Sequence, residues 1–146
     1  MTAKEFLKPL KTMQTDIETK RDQLRSIRES LESITPTYNE KIGCSGLRNV
    51  HRMSEKICEV IDIEQDLSNS IEQLIALKCH IIAAINEIPD SECQAILHWR
   101  YMKHLPWSAV ADKVHMTEDG IYKKHRKALS ELEKTTEYQN WAVQNS

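Results

Sequence analysis

The stretch Ser91–Glu133, SECQAILHWRYMKHLPWSAVADKVHMTEDGIYKKHRKALSELE, decides the fold. Two breaks, Leu105-Pro106 and His115-Met116-Thr117, divide it into three short helical segments. Asp90 or Ser91 suits the N-cap of the first, and Glu92 suits its positive end. Pro106 suits the first position of the second segment, where its missing N–H costs nothing. Thr117 can accept a hydrogen bond from the free N–H groups that open the third.

Apolar spacing then assigns the faces. In the first segment Cys93, Ile96, Leu97, Arg100 and Tyr101 share one side. In the second, Trp107, Val110, Ala111 and Val114 point inward, and Ala111 is small enough for two helices to cross closely. In the third, Ile121, His125, Ala128, Leu129 and Leu132 fall on the core side, so His125 is expected to pack rather than to bind a ligand. The opposite face carries Glu118, Asp119, Tyr122, Lys123 and Arg126, with Lys124 and Lys127 to one side. This order of breaks, cap, small residue and basic cluster is that of a helix-turn-helix, whose last helix enters a DNA major groove. A basic run on a helix is by itself usually a solvated face, so the expectation rests on the whole pattern. Tyr122, Lys123 and Arg126 are expected to face bases after the Thr117, Glu118, Asp119 leading turn. Lys124, Lys127, Lys113 and Arg100 are expected to position phosphates.

Upstream, Phe6, Leu10, Met13, Ile17, Leu24, Ile27, Leu31 and Ile34 recur at alternating spacings of four and three, with Lys20 interrupting. A sustained period of 3.5 residues predicts a coiled-coil seam. Pro9 marks the start of that helix or a frayed first turn, and Thr35-Pro36 is expected to stop it. Thr35–Gly46 reads as a loop. A second long helix is expected from about Leu47 to Ile88, with Glu64 and Lys78 breaking its seam. Folded antiparallel so that paired positions sum to 84, the two helices would set Lys20 opposite Glu64 and leave Ile85 and Ile88 beyond the first helix. Ile61, Ile75 and Ile82 widen the apolar face of the second helix and predict a homodimer through a four-helix bundle. The expected fold is therefore all-α: a long antiparallel helical hairpin (coiled coil, residues 1–88), a three-helix helix-turn-helix domain (89–134) and a polar C-terminal tail (135–146).

Composition agrees with a helical chain. Of 146 residues only three are Gly and four Pro, while 29% are charged. The longest apolar run, Ile81–Ile85, is too short to cross a bilayer, and no secretory signal opens the sequence. A cytoplasmic protein without a membrane partner is expected. Cys44, Cys58, Cys79 and Cys93 show no CxxC spacing, and the six His show no HxxxH, so no metal site or cofactor is expected. No nucleophile–base pair or phosphate-binding glycine loop stands out, which argues against an enzyme. The net charge of −2 hides a distribution: residues 1–34 carry +1, 35–88 carry −3, 89–134 carry +1, and Glu137 adds −1. Any affinity for DNA must come from local clustering.

The segment AILHWRYMKHLPWSAVADKVHMTEDGIYKKHRKALSEL resembles region 4 of sigma factors and the related domain of small phage transcriptional regulators (ArpU- and RinA-like). The matching positions are Leu97, Arg100 and Tyr101; Leu105, Trp107, Val110 and Ala111; and Thr117, Ile121, Lys127, Ala128, Leu129 and Leu132. The "ITPT" and "LIALKCHIIAAINEI" segments of the hairpin are also similar to that group. The resemblance implies a regulator of late genes in phages or prophages of Gram-positive bacteria, working on double-stranded DNA as a dimer in the host cytoplasm. One departure is Glu118-Asp119-Gly120 after the cap, where family members often carry polar or basic residues. Carboxylates there repel phosphates but can accept from cytosine N4. Two other readings remain open. One is a small terminase-like DNA-packaging or other helical assembly protein. The other is an adaptor that touches host RNA polymerase more than DNA.

Overall fold

The computed structural model describes residues 2–40 and 44–145, with side chains described outside 33–50. The chain is all-α. Its helices are α1 (Ala3–Glu40), α2 (Cys44–Glu87), α3 (Ser91–Leu97), α4 (Trp107–Val114), α5 (Glu118–Glu133) and α6 (Thr136–Gln144), and no strand occurs among the described residues.

α1 begins well before Pro9, because Thr2 and Glu5 form a capping box. The Thr2 N–H donates to the Glu5 carboxylate at 2.9 Å, and the Glu5 N–H donates to Thr2 Oγ1 at 3.4 Å. Pro9 therefore lies inside the helix rather than at its start. At the other end α1 runs through Pro36 to Glu40, past the stop expected at Thr35-Pro36. A proline removes one backbone hydrogen bond and crowds the preceding turn. Here only one further turn follows it, and a long run of helix from Ala3 precedes it. Of the expected Thr35–Gly46 loop, residues 41–43 lie outside the described residues, and those on either side are helical.

The chain divides into two compact units, 14–73 and a second made of residues 1–13 with 74–146. Neither boundary follows the expected division at residue 88. In the first unit the two long helices run antiparallel. Lys20 Nζ donates to Ser70 Oγ at 2.7 Å, and Arg28 pairs with Glu64. Those positions sum to 90 and 92, one heptad from the expected 84, and Lys20 does not face Glu64. The expected charge pairing gave way because each charge has a closer solution. Lys20 reaches Asp16 one turn back at 3.0 Å, and the long Arg28 side chain meets Glu64 at the wet edge of the seam. Ile34 and Val50, whose numbers also sum to 84, lie outside the described side chains.

The second unit holds most of the core. Phe6, Leu7 and Leu10 of α1 are buried there, as are Ile81, Ala84, Ile85 and Ile88. Ile85 and Ile88, expected to extend past the hairpin, are thus core residues. Residues 135–146 are not a loose polar tail. Thr135 caps α6 by accepting from the Tyr138 N–H at 3.3 Å, Tyr138 is buried, and Phe6 packs on the rings of Tyr138 and Trp141 at 5.7 and 4.8 Å. Both aromatics are plain in the sequence, but their partner lies near the opposite end of the chain.

Candidate nucleic-acid interface

The helices of residues 91–133 are capped and packed by residues expected to do so. Asp90 caps α3 by accepting from the Glu92 N–H at 3.0 Å. Ile96, Val110, Ala111 and Ile121 form a buried cluster covered by Trp99, Leu105, Trp107, Val114 and Met116. α4 ends at His115, which adopts the left-handed conformation (φ 57°), and the Met116 N–H closes the turn on the Ala111 carbonyl at 3.1 Å. Glycine usually fills such a position, and a Cβ there costs about 1–2 kcal/mol. Thr117 then caps α5 by accepting from the Gly120 N–H at 3.2 Å. A Cβ on Gly120 would come within 3.1 Å of that Thr117 oxygen, so the glycine leaves room for the cap.

One departure lies between α3 and α4. The first helical segment leaves α geometry after Leu97 and continues as a π-helical turn over His98–Met102. The Lys103 N–H reaches five residues back to the His98 carbonyl at 3.1 Å. Such a turn inserts one residue into the helical repeat and re-aims the side chains beyond it. Arg100 is turned to donate to the Leu105 carbonyl at 2.9 Å, and its guanidinium lies 4.5 Å from the centre of the Trp107 ring. Nothing in the apolar spacing signals the change, because Arg100 and Tyr101 remain inward either way.

α5 separates its two faces cleanly. Ile121, His125, Ala128 and Leu132 are buried, while Glu118, Asp119, Tyr122, Lys123 and Lys127 are exposed, with Thr117 at the leading end. Arg126 is also on the outer side, and its surface is exposed. His125 Nε2 lies 2.7 Å from the Tyr101 hydroxyl, with the Trp107 ring centred 4.6 Å away. Burial, reinforced by the charges of Lys4 and Arg100, pushes its pKa down to about 4, so the ring is neutral at pH 7. Trp107 also touches Tyr122 at 5.6 Å, joining the buried and exposed faces.

The residues expected to position phosphates are not equally available. Lys124 Nζ pairs with Asp90 at 2.8 Å and Glu92 at 3.4 Å. Its pKa is raised, chiefly by the Asp90 hydrogen bond, and the Asp90 carboxyl is held below its usual range mainly by the same bond. Lys127 shares Asp90 at 3.5 Å. Lys113 is exposed, with its ammonium 4.9 Å from the centre of the Trp99 ring. Lys124 therefore ties α5 to the start of α3, while Tyr122, Lys123 and Arg126 stand together on the open face.

Beside Tyr101 and Arg100 a cavity of about 370 Å³ is also lined by Lys4, Lys8, Lys11 and His104. Sequence reasoning did not single out those lysines, although their i, i+4, i+7 spacing marks a common face. Among the described residues no group of three His, Cys, Asp or Glu is arranged to hold a metal ion, and no helix is long and apolar enough to cross a membrane.

A family described as a protein of unknown function (DUF1492) matches residues 47–133, more than half of the chain. The chain belongs to the DUF1492 family. The matched region takes in most of α2 and all of α3, α4 and α5, and leaves out α1 and α6. No curated protein and no solved structure matches the chain.

Proposed function

We propose that this DUF1492 protein is a sequence-specific DNA-binding transcriptional regulator of phage or prophage genes that acts as a dimer. The observation that carries the reading is the division of α5. Its inner face is fixed by Ile121, His125, Ala128 and Leu132, and its outer face offers Tyr122, Lys123 and Arg126 to solvent after a tight turn from α4. A rigid helix with a polar, cationic outer face suits a major groove, where Arg and Lys donate to guanine O6 and N7. Glu118 and Asp119 at the leading end would accept from cytosine N4 and disfavour the close approach of phosphates.

Dimerisation is supported by α2. Ile61, Ile75 and Ile82 stand at heptad spacing with 50%, 55% and 44% of their surface exposed. An apolar stripe of that kind on a long helix favours a second copy. The two domains so joined would share one site, which offsets the acidic leading turn of each.

Fluorescence anisotropy on operator DNA selected from a random duplex pool tests the reading. The Lys123→Ala/Arg126→Ala double variant should lose about 1–3 kcal/mol of discrimination per removed base contact, with its melting temperature unchanged. Retained selectivity in that variant would remove α5 from the recognition role. Light scattering separates the assembly reading, since a ring of many subunits belongs to packaging and a dimer to regulation. Binding to DNA without RNA polymerase speaks against a pure adaptor.

A further inference from the structure

We propose that the first turns of α1 are a second DNA contact, a phosphate-binding stripe of Lys4, Lys8 and Lys11 that works with Arg100 and His104 on the flank of the site read by α5. The proposal rests on the DNA-binding reading above, and its three lysines lie outside the matched family region.

The first argument is placement. The Ala3 N–H donates to the Glu133 carboxylate at 3.0 Å, which pins the start of α1 to the end of α5. The rings of Tyr138 and Trp141 hold Phe6 on the opposite face. The lysine stripe is therefore fixed relative to the recognition helix. The same cavity wall reaches the outer face of α5 through one residue. Arg100 lies over Trp107 at 4.5 Å, and Trp107 meets Tyr122 at 5.6 Å, so the guanidinium is within about 10 Å of the Tyr122 ring. A duplex seated on Tyr122, Lys123 and Arg126 would bring its backbone past this edge.

The second argument is charge. Lys4, Lys8, Lys11 and Arg100 converge on the cavity with His104. Its one acid, Glu5, is already engaged by the Thr2 N–H at 2.9 Å. Among the described residues neither Lys4 nor Lys8 forms an ion pair, whereas Lys124 and Lys127 are drawn to Asp90. Burial is the chief cause of the depressed basicity of His125, and the nearby charges of Lys4 and Arg100 add to it. Lys4 and Lys11 stand seven steps apart on the helix, about 10 Å along its axis. That length matches about three steps between successive phosphates on one strand, at about 3.4 Å of rise each.

The experiment measures binding of the full-length protein to a mixed-sequence duplex of about 30 base pairs across a salt series. The Lys4→Ala/Lys8→Ala/Lys11→Ala variant should lower the slope of log K against log salt by about 2–3, because each lost phosphate contact removes about 0.9. The loss should be the same for every DNA sequence, and Lys→Arg replacements at the same positions should restore the slope. Circular dichroism and the melting temperature check folding, and the matching Lys→Gln triple variant gives the same readout if the alanine variant does not fold. An unchanged slope with DNA binding retained overturns the stripe and leaves the reading of α5 standing. Wild-type protein that binds no duplex at low salt overturns both. If inorganic pyrophosphate raises the wild-type melting temperature while the variant's slope is unchanged, the cavity serves a free phosphate ligand and the DNA contact is overturned.

Discussion

The two compact units spend their apolar residues differently. In 14–73 only Ile17 and Leu24 are buried among the described side chains, and Ile57 and Ile61 stand 45% and 50% exposed. In the unit of 1–13 and 74–146, all six helices converge and residues from each are covered, from Phe6 and Ile81 to Ile96, Val110, Ile121 and Tyr138. A two-helix arm has one seam and two wet sides, so a heptad pattern alone yields a ridge of half-covered side chains. A third layer is needed to make a core. The dimer proposal draws on residues of both units, since Ile61 belongs to the arm while Ile75 and Ile82 belong to the other unit.

Alanine substitutions give the largest test of that contrast. Ile96→Ala opens a cavity in a fully enclosed site and should cost about 2–5 kcal/mol in chemical denaturation. Ile57→Ala removes a side chain that water already reaches and should cost less than about 1 kcal/mol. Equal losses would mean that a partner covers the arm in solution. A loss at Ile61 that grows with protein concentration would identify that partner as a second copy.

Acid should act on the unit of 1–13 and 74–146 through His125. The imidazole of His125 titrates at about 4 when folded and at about 6.5 when unfolded. The unfolded chain thus binds more protons between those values, and stability must fall as pH drops from about 6.5 to 4. The expected loss at pH 4, relative to pH 7, is about 2–3 kcal/mol. His125→Gln keeps a hydrogen-bonding partner for Tyr101 and should abolish that slope. Below about pH 4 a second loss follows as Asp90, whose pKa is lowered in the fold, takes up its proton and releases Lys124. A wild-type profile flat from pH 7 to 4 would mean that His125 is open to water.

The local features of residues 91–133 were legible because they are short-range. The N-caps Asp90 and Thr117, the break at Pro106, the turn at His115 and the inward His125 all follow from residues within a few positions of each other. Three things were not legible. The π-helical turn at His98–Met102 leaves the apolar pattern intact, so no spacing marks it. The docking of α6 on Phe6 joins the two ends of the chain. The hairpin register depended on one assumed charge pair, and a heptad pattern fits equally well when slid by seven residues.

That register supplies the smallest and sharpest test. Arg28 and Glu64 are exposed, and surface ion pairs contribute about 0–1 kcal/mol. A double-mutant cycle between Arg28→Ala and Glu64→Ala should give a coupling of a few tenths of a kcal/mol that fades with added salt. The parallel cycle between Lys20→Ala and Glu64→Ala should give none, because Lys20 is bound to Asp16 and Ser70 instead. Coupling in the second cycle and not the first would restore the register in which Lys20 faces Glu64, and would shift every layer of the arm by one heptad. The energies are small because the arm is wet. The sign of the comparison is still decisive, since a slip of seven residues exchanges one partner for the other with no intermediate arrangement.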